Sequence, residues 1–340
     1  MKKDLLIALL TLSIFSLNSK GQDHIYSQFY NAPIYLNPAL TGQFEGDLRV
    51  NMIYRNQWTG LAGDLSYISA SVDVQVPQFG GGFGLMFTRS SEGIAYLVKN
   101  NIAGTYAYSI GDDNFVASFG LQIGLTNRRI DWDNLVFSDQ IDRRLGIIPG
   151  NSSAELPDVS NKYYFDAVGG INIVYRNIML GAAVFHLNKP DESFTGVQAK
   201  LPMRLTANAS MRFPIGRSYQ YNQEADAYII PSVVYHRHDK FTSVSIGGQL
   251  KYRSVNAGIW YRGNSQGEPD ALVLSAIFDI FNGSRRNEKL RIGISHDATL
   301  SKLNYTNTSG TTEASIGFEK FFPNSDAYNK FNSLRCYDFY

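Results

Sequence analysis

Alternation of apolar and polar side chains, sustained over ten to sixteen residues at a time and repeated along the chain, most narrowly limits what this polypeptide can fold into. In 203–213, Leu205, Ala207, Ala209, Met211 and Phe213 alternate with Arg204, Thr206, Asn208, Ser210 and Arg212. In 115–126, Phe119, Leu121, Ile123 and Leu125 oppose Ser118, Gly120, Gln122, Gly124 and Thr126. Successive strand side chains point to opposite faces, so each run has one greasy and one polar face. About fourteen such runs occur: 47–57, 65–76, 79–90, 94–109, 114–129, 162–175, 177–188, 202–213, 226–237, 240–252, 254–263, 270–281, 288–298 and 311–321. An ordinary soluble strand is about 5–6 residues long, whereas a tilted strand crossing hydrocarbon needs about 9–11. Length therefore points to an all-β fold, a transmembrane antiparallel β-barrel of about fourteen strands.

The connections agree. Gly111-Asp112-Asp113, Arg176-Asn177 and Val76-Pro77-Gln78 are tight, while 130–161, 189–201 and 299–310 are long. With both termini in the periplasm, the long ones follow odd-numbered strands and face outward. The 214–225 connection, after the eighth strand, is longer than a periplasmic turn should be. Gly80, Gly82 and Gly84 line one side of a run whose other side holds Phe79, Phe83, Leu85 and Phe87, and strand glycines mark close backbone approach or curvature. Tyr54, Trp58, Tyr106, Tyr108, Tyr163, Tyr175, Tyr235, Tyr252, Trp260 and Tyr261 lie near run ends, as interfacial girdles require.

Residues 1–21 read as a secretory leader: Lys2 and Lys3, an apolar stretch from Leu5 to Leu17, then Ser19 and Gly21 before cleavage at Gln22. That stretch, about 13 residues, is too short to span a bilayer as a helix. Residues 22–46 form an aromatic, Pro-punctuated, charge-poor segment, expected to fold as an ordered periplasmic piece or plug at the barrel's periplasmic end. Residues 47–321 are the barrel and 322–340 a C-terminal periplasmic tail.

The segment Gln28-Phe29-Tyr30, Pro33, Leu36-Asn37-Pro38-Ala39 and Gly42, followed by the strand end Tyr54-Arg55-Asn56-Gln57-Trp58, resembles the PorP/SprF family of outer-membrane proteins. The resemblance implies a non-enzymatic barrel of the type IX secretion and gliding-motility apparatus. Such a barrel works with secreted surface proteins such as large adhesins, and with periplasmic parts of the machinery. It marks Asn37, Pro38, Ala39, Arg55, Gln57 and Trp58 as structural signature residues.

Catalytic and cofactor chemistry is sparse. His236 and His238 share a face at a strand end without a third ligand. The run from Asp131 through Asp139 and Asp142 lacks the glycine and closing glutamate of a calcium loop. Gly80–Gly84 is followed by no Gly-Lys-Ser/Thr and so is no phosphate loop. Cys336 is the single cysteine, which excludes a disulfide framework. With 31 Lys+Arg against 30 Asp+Glu, a nucleic-acid partner is not expected. No catalytic, cofactor or metal residues are assigned.

Inward-facing Arg49, Arg55, Asp73, Arg204, Arg212, Lys251, Arg291, Glu313 and Glu319 carry both signs, which predicts internal pairing and a narrow or plugged lumen. The outer loop 130–161 holds Trp132, Leu135, Phe137, Ile147 and Ile148 within a charged rim, the composition of a protein-binding surface or of a lid over the barrel's own mouth. The leading expectation is an outer-membrane docking and secretion partner for a cell-surface protein. A diffusion channel or hydrophobic-solute transporter is the competing one.

Overall fold

The computed structural model describes residues 23–61, 63, 65–93, 97–130, 135–142, 144–148, 152, 159–215, 227–282 and 288–322. The strands are β1 (Leu48–Gln57), β2 (Leu65–Val76), β3 (Gly81–Glu92), β4 (Leu97–Gly111), β5 (Phe115–Arg129), β6 (Ile141–Asp142), β7 (Gly146–Ile147), β8 (Asn161–Tyr175) and β9 (Ile178–Phe185). They continue with β10 (Arg204–Met211), β11 (Phe213–Ile215), β12 (Ala227–His238), β13 (Phe241–Tyr252), β14 (Val255–Gly263), β15 (Pro269–Asn282), β16 (Glu288–Thr299) and β17 (Thr311–Lys320). β6 and β7 make a small separate hairpin, and β11 prolongs β10 beyond a break at Arg212. Every remaining strand pairs antiparallel with its neighbours, β1 with β17, and β10 with both β9 and β12. The sheet is thus a closed barrel of fourteen strands among the described residues.

The burial pattern along each strand inverts that of a soluble sheet. On β5, Leu121 is 66% and Ile123 67% exposed, whereas Ser118, Gln122 and Thr126 on the opposite face are buried. Greasy residues cover the outside, where lipid replaces water, and polar ones face the lumen. No described helix is long and apolar enough to cross a membrane.

Fourteen strands about 4.8 Å apart and tilted about 40° close on a circumference of about 88 Å, a wall roughly 28 Å across. Eight strands bring wall side chains into contact at the centre, but fourteen leave an opening. The N-terminal segment occupies it. Residues Tyr26–Phe44 are buried except for half-buried Tyr35. The sequence predicts an ordered periplasmic piece, or a plug at the periplasmic end. The structure instead runs it through the lumen, from Asp23 beside His186 at the end with the long connections to Phe44 and Gln75 at the end with the short turns. Long connections face outward in such barrels, so Asp23 lies at the outer mouth.

Two run boundaries differ from expectation for a clear local reason. Pro77–Phe79 form a helical turn closed by Gly80 at φ +67°, so the third strand starts at Gly81. The 177–188 run stops at Phe185, because His186 adopts φ +58° and the chain turns back; His186 is therefore not a strand residue. Most of the 214–225 connection, all of 1–21, and all of the 322–340 tail except Phe322 lie outside the described residues.

Candidate functional site

The lumen and its outer mouth hold the residues that can act. Irregular backbone is tolerated at membrane depth only when protein satisfies it, and the plug achieves this with short turns. Pro33 and Pro38 each open one, their fixed φ suiting a first helical position where no N–H is required. Asn37 caps the second turn by accepting from the Ala39 N–H at 2.9 Å. Its side-chain nitrogen donates to the wall carbonyls of Ile171 at 2.9 Å and Ala182 at 3.3 Å. A Cβ on Gly120 would overlap the Ala39 nitrogen, and one on Gly82 would overlap Gly42. These inward glycines are where the plug touches the wall. Phe29, Tyr30, Leu36 and Leu40 pack on inward apolar residues including Met179, Ile230, Val234, Trp260, Val273 and Ile277.

The signature arginine, Arg55, anchors the upper plug. Its guanidinium meets Glu313 at 2.5 Å and Asp297 at 3.3 Å. Glu313 also accepts the Ser27 and Gln28 N–H groups, each at 2.8 Å. Asp297 accepts from the Ser27 hydroxyl at 2.6 Å and pairs with Arg262 at 2.9 Å. Gln57 takes weaker bonds from Arg55 at 3.3 and 3.4 Å, and Trp58 turns the chain at φ +55° above β1. Lower down, Arg49 grips Asp73 through two bonds of 3.0 and 2.7 Å and donates to the Leu40 carbonyl at 3.1 Å. The Gly42 N–H completes Asp73 at 2.8 Å. Arg291 pairs with Asp279 at 2.7 Å and Lys289 with Glu319 at 2.8 Å. The expected pairing of internal charges is present, between neighbouring strands and plug instead of across an empty bore.

At the outer mouth the plug ends in a clasp absent from the sequence reading. Asp23 meets His186 Nε2 at 2.7 Å, Lys99 at 3.2 Å and Arg204 at 3.5 Å, and its N–H donates to His238 Nδ1 at 3.4 Å. His186 Nδ1 reaches Asp166 at 2.9 Å. Asp23, Lys99, Asp166, His186 and Arg204 border a cavity of about 100 Å³ that Glu92, Arg128 and Glu192 also line. Burial alone would push the His186 ring down, but the carboxylates on both ring nitrogens outweigh it and raise its pKa above 6.5. Burial likewise opposes the Asp23 charge, yet Lys99, His186 and Arg204 hold this carboxyl well below 3.8.

A histidine whose folded pKa is raised contributes fully below its unfolded value and is lost as pH climbs through the folded one. Asp23, being depressed, contributes above 3.8 and fails only in stronger acid. The clasp is therefore complete between 3.8 and 6.5 and loosens on the alkaline side. Amide protection factors over 23–26 should fall several-fold from about pH 6 to about pH 9. In His186→Gln they should be lower throughout and flat; a wild-type profile that is itself flat contradicts the assignment.

The loop residues chosen from sequence are only partly assembled. Trp132 lies outside the described residues. Leu135 and Phe137 are half-buried, and Ile147 and Ile148 are exposed. Ile147 pairs with Ile141 across the β6–β7 hairpin, adding Ile141, Leu145 and Val136 to the exposed apolar set. Asp142 fixes the hairpin tip by accepting from the Arg144 and Leu145 N–H groups, which pull its carboxyl below the usual range. The connection after β9 packs against the mouth. Within it, the Glu192 carbonyl receives Arg128 at 2.7 Å, Phe194 lies under the same guanidinium, and Pro190 and Leu201 are buried. His236 and His238 bond Thr206 and the Pro202 carbonyl, and no described cluster is arranged to hold a metal.

A closed barrel with a greasy exterior, a charged lumen and an N-terminal plug defines an integral outer-membrane protein. Residues 18–318 match the type IX secretion system membrane protein PorP/SprF, and the chain belongs to that family. No curated protein matches it. Among solved structures it is loosely similar to the Acinetobacter baumannii outer membrane protein Omp33, with 6% identity over 83% of this chain and 100% of the other and a TM-score of 0.43. A Pseudomonas aeruginosa FadL homologue shares 12% identity over 83% and 91%, with a TM-score of 0.42. A mutant of the monoaromatic hydrocarbon channel TodX shares 13% over 86% and 94%, with a TM-score of 0.46.

Proposed function

We propose that this plugged barrel docks a secreted cell-surface protein, such as an adhesin, at its outer face during type IX secretion or gliding, and contacts periplasmic machinery from below. No catalysis is assigned to it. The observation carrying this reading is the exposed apolar hairpin: Ile141, Leu145, Ile147 and Ile148 stand in water beside Asp139, Asp142 and Arg144. A greasy patch rimmed by charge is costly to leave open and suits a protein partner. The occupied lumen weighs against the rival reading of a diffusion channel or solute transporter.

Deleting 134–158 should leave a folded, heat-modifiable barrel in the outer membrane while abolishing surface display of the partner. Leu145→Asp with Ile147→Asp should reduce display in the same direction, because both side chains face water and their replacement does not touch the wall. Display unchanged in both variants would refute the docking role.

A further inference from the structure

The barrel rim is uneven. β5 and β8 each have 15 residues, while β9 and β10 have 8. β9 pairs with β8 only along Gly169–Tyr175, so 161–168 rise above it with β5 as their one paired neighbour strand among the described residues. At about 3.3 Å per residue and a tilt of about 40°, a 15-residue strand rises about 38 Å along the barrel axis, about 8 Å more than the roughly 30 Å of hydrocarbon. This upper edge therefore reaches the outer membrane–water interface, where the 130–161 connection rejoins the wall.

The chain after β9 covers only the lower part of the edge. The Leu187 N–H donates to the Ala167 carbonyl at 3.0 Å, the Asn188 side-chain oxygen accepts the Ala167 N–H at 3.2 Å, and its nitrogen donates to the Phe165 carbonyl at 2.7 Å. These bonds show that odd-numbered residues direct their backbone groups away from β5. The same row continues upward, where the Phe165 N–H and both backbone groups of Tyr163 have no partner among the described residues. The flanking side chains point outward, Tyr163 61% and Phe165 68% exposed.

We propose that the β8 edge at 161–165 is a strand-docking site that receives an extended segment of the secreted surface protein. This rests on the docking function proposed above and adds how the partner is held. A row of alternating N–H and C=O groups at two-residue spacing is matched by extended polypeptide, which gains affinity from its main chain and selectivity from alternate side chains. Tyr163 and Phe165 supply apolar contacts on the side where those alternate residues fall. A second copy in the same membrane would present its own edge running in the same direction, leaving only the weaker parallel pairing.

The test places the photocrosslinker p-benzoylphenylalanine at position 163 in cells, with a control at exposed Ile147 on the hairpin. Mass spectrometry then locates the attached stretch of partner, and a synthetic peptide of that stretch is titrated against the purified barrel. Tyr163→Pro removes the edge N–H, whereas the β5 ladder is made by Lys162 and Tyr164, so the wall should tolerate it. Peptide affinity should fall roughly tenfold in Tyr163→Pro, as expected for one lost hydrogen bond with its neighbours disturbed. It should fall less in Tyr163→Ala, which keeps that N–H, and both variants should retain the folded, heat-modifiable band. Adducts from 147 but none from 163, adducts from 163 only to a second copy of this chain, or equal affinity in Tyr163→Pro would each overturn the edge site while leaving the docking function standing. Absence of any surface-protein adduct from both positions would bring down both.

Discussion

Glu313→Ala is expected to lower the stability of the folded barrel by about 3–5 kcal/mol, the usual result of removing one partner from a buried ion pair. Glu313 has no solvent exposure and binds four donors at once: Arg55, the N–H groups of Ser27 and Gln28, and more weakly the Ser295 hydroxyl. Without it, the only carboxylate left to Arg55 is Asp297, at the longer distance and already shared with Arg262 and the Ser27 hydroxyl, beside neutral acceptors on Ser27 and Gln57. Two plug N–H groups would also lose their acceptor in a region that offers little else. The loss should appear as a lower urea midpoint for the barrel refolded in liposomes, together with new protease cleavage within 26–35. Glu313→Gln, which keeps acceptor atoms but no charge, should fall between wild type and alanine. Glu288→Ala provides the contrast: its pair with Lys320 is partly exposed on both sides, and its removal should cost under about 1 kcal/mol. A Glu313→Ala barrel within about 1 kcal/mol of wild type would show that the plug is held by packing alone.

The wall was legible in the sequence because a membrane barrel writes its alternation over long stretches, and length separates it from a soluble sheet. Where a run ended early, the cause was local and unsignalled: nothing in 177–188 announces that His186 will take a left-handed conformation. The inward charges were legible as a set, but not as pairs. Arg55 and Glu313 stand 258 residues apart and meet because β1 closes the barrel against β17. The clasp was invisible for the same reason, since Asp23 and His186 come together only when the plug has traversed the lumen. Composition correctly suggested that the N-terminal segment packs, since a charge-poor aromatic stretch resists disorder, but composition carries no address. The inward glycines held the missing clue. In the sequence Gly82 and Gly84 mark close backbone approach or curvature without naming what approaches; in the structure they and Gly120 border plug atoms, and inward residues such as Ile230 and Val234 imply an apolar occupant instead of water.

Removing residues 25–44 should convert a silent barrel into a conducting one. With the plug seated, the spaces beside it include cavities of about 100 and 30 Å³, room for a few water molecules each. Without it, a wall about 28 Å across, less the depth of its side chains, leaves a hole roughly 15 Å wide. Planar-bilayer conductance should then rise by roughly an order of magnitude or more over wild type, in discrete steps. The exposed wall would be apolar around Trp260, Val273 and Ile277 and charged around Arg55, Asp297 and Arg262, so the deletion should also lower stability. Heat-modifiable migration will show whether the variant has closed its barrel. If it has not, Glu313→Ala combined with His186→Gln offers a gentler route, loosening the upper plug while leaving the chain intact, and should give intermittent openings. Large steady conductance from the wild-type protein would reverse the conclusion: the plug would then be no seal, and the solute-channel reading would displace docking as the function. Closed wild type with open deletion is the outcome a docking platform requires, because a permanent hole of this width would dissipate the outer membrane's barrier wherever the partner was absent.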